Sequence, residues 1–270
     1  MNARRVRALI IKEFAEIRRS RAALLPVLLT ALVCLLVPFG VALITPIVSG
    51  EPLSSDPAMR DAVRARPDIS SVVPGSGTEA GVQVFLFQQF LLMLLLIPVT
   101  GSMAFAAYSV IGEKQNRTLE PLLATPLTTA ELLLAKTVAA LVPSLGIMVA
   151  TSVLFFGGIA MLAAPGVLAA LLTPRTAAVL LALGPLASLV ALQLAVIVSS
   201  RVDDARTAQQ VGVLIILPIT GLMVAQFSGA FVLTVPVIGT ICLGLIALSV
   251  ALTIVGAAVF DREAILTRLE

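Results

Sequence analysis

VQVFLFQQFLLMLLLIPVTGSMAFAAYSVI, residues 82–111, runs for 30 residues without an Asp, Glu, Lys or Arg. As a helix rising about 1.5 Å per residue it would be roughly 45 Å long, more than the roughly 30 Å hydrocarbon core of a bilayer. It must therefore tilt, kink near Pro98 or project beyond the lipid. Backbone amides in lipid have to be satisfied within the segment, and the run is too long and too evenly apolar for a barrel strand, so a transmembrane helix is expected.

Further uncharged, mostly apolar runs lie on both sides, at residues 22–48, 137–163, 177–200, 211–232 and 237–260. The expected fold is an all-α integral membrane protein with six transmembrane helices in a single transmembrane domain covering residues 1–270. Composition agrees: 59% of the 270 residues are apolar and 12% charged, with a mean hydropathy of +1.09. Soluble domains are nearer 45–50% apolar and about 25% charged. The same figures, with 18 Gly in no triplet period and two Cys, exclude a disordered chain, a collagen-like chain and a disulfide scaffold.

All the Asp, Glu, Lys and Arg lie outside the six runs. Ion-coupled transporters and intramembrane proteases need ionisable groups within the membrane, and none is offered here. The chain has no His, which removes His-ligated zinc and Ser-His or Cys-His catalysis. Cys34 and Cys242 sit within apolar runs and read as small buried hydrophobes. No G-x-x-x-x-G-K-[ST] phosphate loop occurs, so the chain is not expected to be an enzyme or to hold a cofactor. Nucleic acid is not expected among its partners.

Of the 18 basic residues, Arg60, Arg64, Arg66 and Arg175 fall in the connections on one side, and the rest lie in the amino terminus, residues 112–136, residues 201–210 and the carboxyl tail. The positive-inside rule then places both termini in the cytoplasm, for a multi-pass protein of the inner (plasma) membrane. An even number of spans agrees. The first apolar run is too long for a secretory signal and reads as a retained span.

Two cytoplasmic stretches carry pattern. Residues 3–21, ARRVRALIIKEFAEIRRSR, repeat Val6, Leu9, Ile10, Phe14 and Ile17 at helical spacing, with Arg4, Arg5, Lys12, Arg18 and Arg19 mostly elsewhere around the helix. This is a basic amphipathic helix suited to the headgroup layer, an interfacial elbow that contacts membrane lipids and possesses a face for a partner. Residues 112–136, GEKQNRTLEPLLATPLTTAELLLAK, read as a helix, a break at Pro126, and a second helix opened by the Thr128-x-x-Glu131 capping box. Leu119, Leu122 and Leu123 form an apolar patch rimmed by Glu113, Arg117 and Glu120. Such a patch is laid on lipid or buried in a protein.

The same string resembles the signature of type-2 ABC exporter permeases. The matching positions are Glu113, Thr118, Leu119, Glu120, Leu122, Leu123, Thr125, Pro126, Glu131, Leu132 and Lys136. The Lys12-Glu13 pair, the short polar turn at residues 199–210 and the Asp261-Arg262-Glu263 tail extend the resemblance over essentially the whole chain. It implies that two permease copies, most simply a homodimer, stand on separate cytoplasmic ABC ATPase subunits, which hold the ATP and Mg. It further implies that the helix after the second span is a coupling helix docked in the ATPase. Leu119 to Leu123 would then be the apolar anchor, and Glu113, Arg117 and Glu120 would set register.

Polar residues within spans, Gln88, Gln89, Tyr108, Gln193 and Gln226, are candidates for the translocation path, with Met93, Met103 and Met223 as adaptable apolar contacts. Interhelical hydrogen bonding is the competing reading of these residues. Gly221, Ala225 and Gly229, spaced by four, would allow close helix approach. Without charge in the spans, an amphipathic cargo is favoured over a small ion: a drug, a lipid, a lipid-linked glycan or a peptide. The outer connection, residues 49–81, holds a candidate short helix around Asp56 to Arg66 and is a solvated loop, a lid or the contact of an extracytoplasmic accessory protein. The alternative to a transporter is a non-transporting membrane scaffold or assembly factor that recruits a cytoplasmic partner.

Overall fold

The computed structural model describes residues 3–64, 79–115, 129–199, 205–228 and 232–259. Among these residues all regular structure is helical and there is no strand. In chain order the helices are α1 (Ala3–Arg19), α2 (Arg21–Ser49), α3 (Pro57–Arg64) and α4 (Glu79–Ser109, helical on to Gln115). They continue with α5 (Thr129–Leu162), α6 (Val167–Leu171), α7 (Pro174–Ser199), α8 (Ala205–Phe227) and α9 (Val235–Val259).

Five of them, α2, α4, α5, α7 and α9, contain a stretch long and apolar enough to cross a membrane. The protein is thus a multi-pass membrane protein. The run expected to continue to residue 232 differs: α8 ends at Phe227, and its described apolar stretch is the shorter Ile216–Phe227. Ser228 closes it, since its N–H donates to the Val224 carbonyl at 2.9 Å and its hydroxyl to the Ala225 carbonyl at 3.0 Å.

Helix α4 is the centre of the bundle. Its spanning window is 83% buried, against 28% for α2 and α5 and 6% for α9. Val84, Phe87, Leu92, Leu94, Ile97 and Phe105 are enclosed all round α4. In α2 the stripe Ala23, Val27, Ala31, Cys34, Pro38 and Ala42 is buried against protein, while Leu25, Leu28, Leu29, Leu32 and Leu36 are exposed. Uniformly apolar helices with one packed stripe are what a lipid surround requires, because the lipid-facing side need not be polar.

Three spans leave α-geometry just ahead of a proline. Wide turns occupy Gly40–Ile44 before Pro46 and Val179–Leu183 before Pro185, and a tight 3₁₀ turn occupies Leu91–Leu95 before Pro98. A proline has no N–H for the carbonyl four residues back and its ring crowds that carbonyl. Those carbonyls belong to Ala42, Leu181 and Leu94, each inside the irregular turn. The break in α4 therefore lies upstream of Pro98, and α4 also projects past the apolar run at both ends.

At the outer end, Gly50 (φ +71°) ends α2 in the left-handed conformation that a side chain would disfavour. The Asp56 side chain accepts from the Ala58 N–H at 2.9 Å at the start of α3. The Glu79 carboxylate at the head of α4 accepts from the Ser54 N–H at 3.1 Å, and Gln83 Oε1 accepts from the Ala164 N–H at 2.9 Å. Phe39, Phe87 and Phe155, from α2, α4 and α5, pack with centroids 5.4–5.8 Å apart. Residues 165–176, which connect the third and fourth apolar runs, hold α6 and the first turn of α7, where Thr173 caps through the Thr176 N–H at 3.2 Å.

Candidate coupling site

Helix α1 buries Val6, Leu9, Glu13 and Ile17, one face at three- and four-residue spacing. Val6 and Leu9 close an apolar cluster with Leu132 and Ala135 of α5, with Ile10 at its edge, and Ile17 joins the main core. Phe14 is half-buried, Lys12 is 40% exposed, and Arg7, Arg18 and Arg19 face outward. The apolar stripe expected to meet lipid is in large part spent on α5. The stripe also contains a charge that hydrophobic periodicity does not report: Glu13, 1% exposed.

Glu13 is buried because its partners are buried opposite it. Lys136 Nζ of α5 lies 3.4 Å from Glu13 Oε1, and the Ser109 hydroxyl of α4 donates to Glu13 Oε2 at 2.6 Å. Lys136 Nζ also donates to Ser109 Oγ at 2.7 Å, so Ser109 donates and accepts at once. Lys12 Nζ approaches the same carboxylate at 3.7 Å and Glu16 at 3.4 Å. Burial pushes the Glu13 carboxyl upward, but Lys136, the Ser109 hydrogen bond and Lys12 together outweigh it and hold it below the usual glutamate value. The carboxylate is therefore ionised at neutral pH.

These three side chains come from the elbow, the inner end of the second span and the start of the third. Glu13 and Lys136 stood out in the sequence through the resemblance, but nothing tied them to each other. Ser109 was not singled out; its only signal is a hydroxyl within a turn or two of the end of an apolar run.

The segment with the signature lies between α4, helical to Gln115, and α5, which begins at Thr129. Arg117, Thr118, Leu119, Glu120, Leu122, Leu123, Thr125 and Pro126 lie outside the described residues, as does Thr128 of the capping box; Glu113 lies on the final turn of α4. Glu131 and Leu132 are buried in the first turn of α5.

Of the path candidates, Gln89 and Gln226 are both buried and face each other across α4 and α8. Gln89 Nε2 donates to the Gln226 carbonyl at 3.2 Å and Gln226 Nε2 to the Gln88 carbonyl at 3.4 Å. Gln193 Nε2 donates to Thr253 Oγ1 at 2.9 Å, joining α7 to α9. Tyr108, Met93 and Met223 are half-buried at the core edge and Met103 is buried. The Oε1 atoms of Gln88, Gln89 and Gln193 are buried without a donor among the described residues. Gly221 faces open space, and Gly229 lies outside the described residues. No group of His, Cys, Asp or Glu among the described residues could hold a metal.

Residues 7–240 match the family described as ABC-2 family transporter protein. No curated protein and no solved structure matches the chain.

Proposed function

The chain belongs to the ABC-2 family of transporter proteins, non-catalytic membrane permeases, and from this premise we propose that it is the permease subunit of an ATP-driven exporter. Two copies form the path, and each docks a separate cytoplasmic ATPase, which binds ATP and Mg, through residues 112–136. ATP-driven closure of the ATPases displaces this segment and rocks the spans. Both termini are cytoplasmic in this reading, and α8 is the remaining crossing: its 23 residues amount to roughly 35 Å of helix.

The observation that carries the reading is the position of α4. The signature segment begins on the last turn of α4, the most enclosed of the spans, and ends in the first turns of α5, so a push on it bears on both helices. The uncharged spans favour an amphipathic cargo, and the side-chain oxygens of Gln88, Gln89 and Gln193, without a donor among the described residues, favour one with hydrogen-bond donors.

The test replaces Leu122 and Leu123 together by Asp and reconstitutes the permease with its partner ABC ATPase. The variant is expected to keep the melting temperature of the unaltered permease in detergent while binding of the ATPase, and permease-dependent ATP hydrolysis, fall at least tenfold. Unchanged binding and hydrolysis would show that the segment does not couple.

A further inference from the structure

Glu13, Ser109 and Lys136 are joined pairwise by hydrogen bonds in a place shielded from solvent. One carboxylate oxygen takes Lys136 and the other takes Ser109, and the serine hydroxyl bridges acid and base. Glu13 is 1% and Lys136 5% exposed. Drawing them apart would separate two opposite buried charges and leave Glu13 only the longer contact to Lys12 at 3.7 Å, a far larger penalty than sliding one apolar surface over another. The exposed Lys12–Glu16 pair on the same helix carries no such penalty, since water replaces a lost partner.

Geometry adds a second tie between the same helices. Leu9 and Val6 lie one and two turns before Glu13 on α1, and Leu132 and Ala135 lie beside Lys136 on α5, so the apolar cluster and the ion pair share one face. The neighbouring joints are of another kind. Ser20, between α1 and α2, is extended (φ −83°, ψ 96°), and α4 departs from α-geometry at Leu91–Leu95.

We infer that Glu13, Ser109 and Lys136 are positioning residues that lock α1, the inner end of α4 and the start of α5 into one rigid block that stays closed throughout the transport cycle. A displacement of residues 116–128 then reaches the elbow and, through Ser20, the first span as a single motion, with bending confined to Ser20 and the irregular turns. The block's role in transmission rests on the exporter reading above; its rigidity does not.

Spin labels at Ile11→Cys and Leu134→Cys, exposed positions on α1 and α5, report the block in the permease alone in lipid nanodiscs, with Cys34 and Cys242 replaced by Ala. One narrow distance distribution is expected. Glu13→Gln is expected to broaden it, and the exchanged pair Glu13→Lys with Lys136→Glu to narrow it again. A distribution already broad with the cluster intact, or one that Glu13→Gln leaves unmoved, overturns the inference. In the complex with the ATPase, trapping nucleotide is expected to leave the distance unchanged, and a nucleotide-dependent shift overturns it equally. Failure of the ATPase to bind would instead count against the exporter reading, and the nanodisc measurement still decides whether the block is rigid.

Discussion

Gly101 of α4 lies so close to Ser144 of α5 that a Cβ on the glycine would stand 2.7 Å from the serine Cβ and 3.2 Å from Cγ1 of Val27 on α2. Ser144 turns its hydroxyl onto the Leu141 carbonyl at 2.8 Å, so its bare methylene forms the contact. Helices in lipid gain little from hydrophobic burial against each other and rely on close packing of small residues. The obstacle is a Cβ with no rotamer to retreat into, so Gly101→Ala must move a backbone. We expect a loss of about 1–3 kcal/mol, seen as a lower melting temperature in detergent. Ser144→Gly added to Gly101→Ala should recover much of it, with Val27 left as the residual clash. A Gly101→Ala protein that melts with the parent would show that this approach is not what joins the two spans.

The Gln89–Gln226 contact makes a different kind of claim, because each side chain bonds to main chain. The acceptors are the Gln226 and Gln88 carbonyls. Deleting one amide leaves the other's acceptor in place. Gln89→Leu and Gln226→Leu are each expected to cost about 0.5–2 kcal/mol, the range for interhelical hydrogen bonds in lipid. Their effects should add, with a coupling below about 0.5 kcal/mol in a double-mutant cycle of thermal or denaturant melts. A coupling well above that would mean the two side chains act on each other.

Glu13 sets a pH dependence with a definite sign. Its carboxyl is raised by burial but lowered further by Lys136, Ser109 and Lys12, and the net value lies below the ordinary 4.5. A depressed carboxylate contributes stability that is complete above its ordinary value and is lost as pH falls through the folded value. Protonated Glu13 resembles Gln in shape and charge. The melting-temperature gap between the parent and Glu13→Gln should therefore be widest near neutral pH and close on acidification below roughly pH 4. Every other carboxylate is common to both proteins and drops out of the difference. A gap that stays constant through this range would mean that the Glu13 charge contributes nothing to the fold.

The spans were legible because lipid imposes one rule, an uncharged run of sufficient length, and residues 22–48, 82–111, 137–163, 177–200 and 237–260 obey it to within a few residues of the helices observed. Less visible was which span is enclosed. Helices α4 and α9 read alike as apolar runs, yet one is 83% and the other 6% buried, since lipid and protein are equally apolar surroundings. The proline breaks were displaced from their prolines because the crowded carbonyl lies a turn upstream. The Glu13, Ser109 and Lys136 cluster was hidden for a further reason: positions 13, 109 and 136 belong to three helices, and no periodicity within one helix reports a partner on another.

The 3₁₀ turn at Leu91–Leu95 poses a contest between backbone and packing. Pro98→Ala returns an N–H to the Leu94 carbonyl, worth about 1 kcal/mol net. Converting the turn to α-helix, however, changes the winding by about 20° per residue, from three residues per turn to 3.6. That rotation would carry Phe87, fully buried, away from Phe39 and Phe155, whose rings lie 5.4 and 5.8 Å from its own. Each aromatic pair contributes about 0.5–1.5 kcal/mol beyond the area it buries, so packing outweighs the recovered hydrogen bond. Pro98→Ala is therefore expected to leave stability within about 1 kcal/mol of the parent, whereas Phe87→Ala should cost about 3 kcal/mol or more. Thermal melts of the two variants decide it: a strong stabilisation by Pro98→Ala would show that the proline alone holds α4 out of helical register, against the opposition of its neighbours.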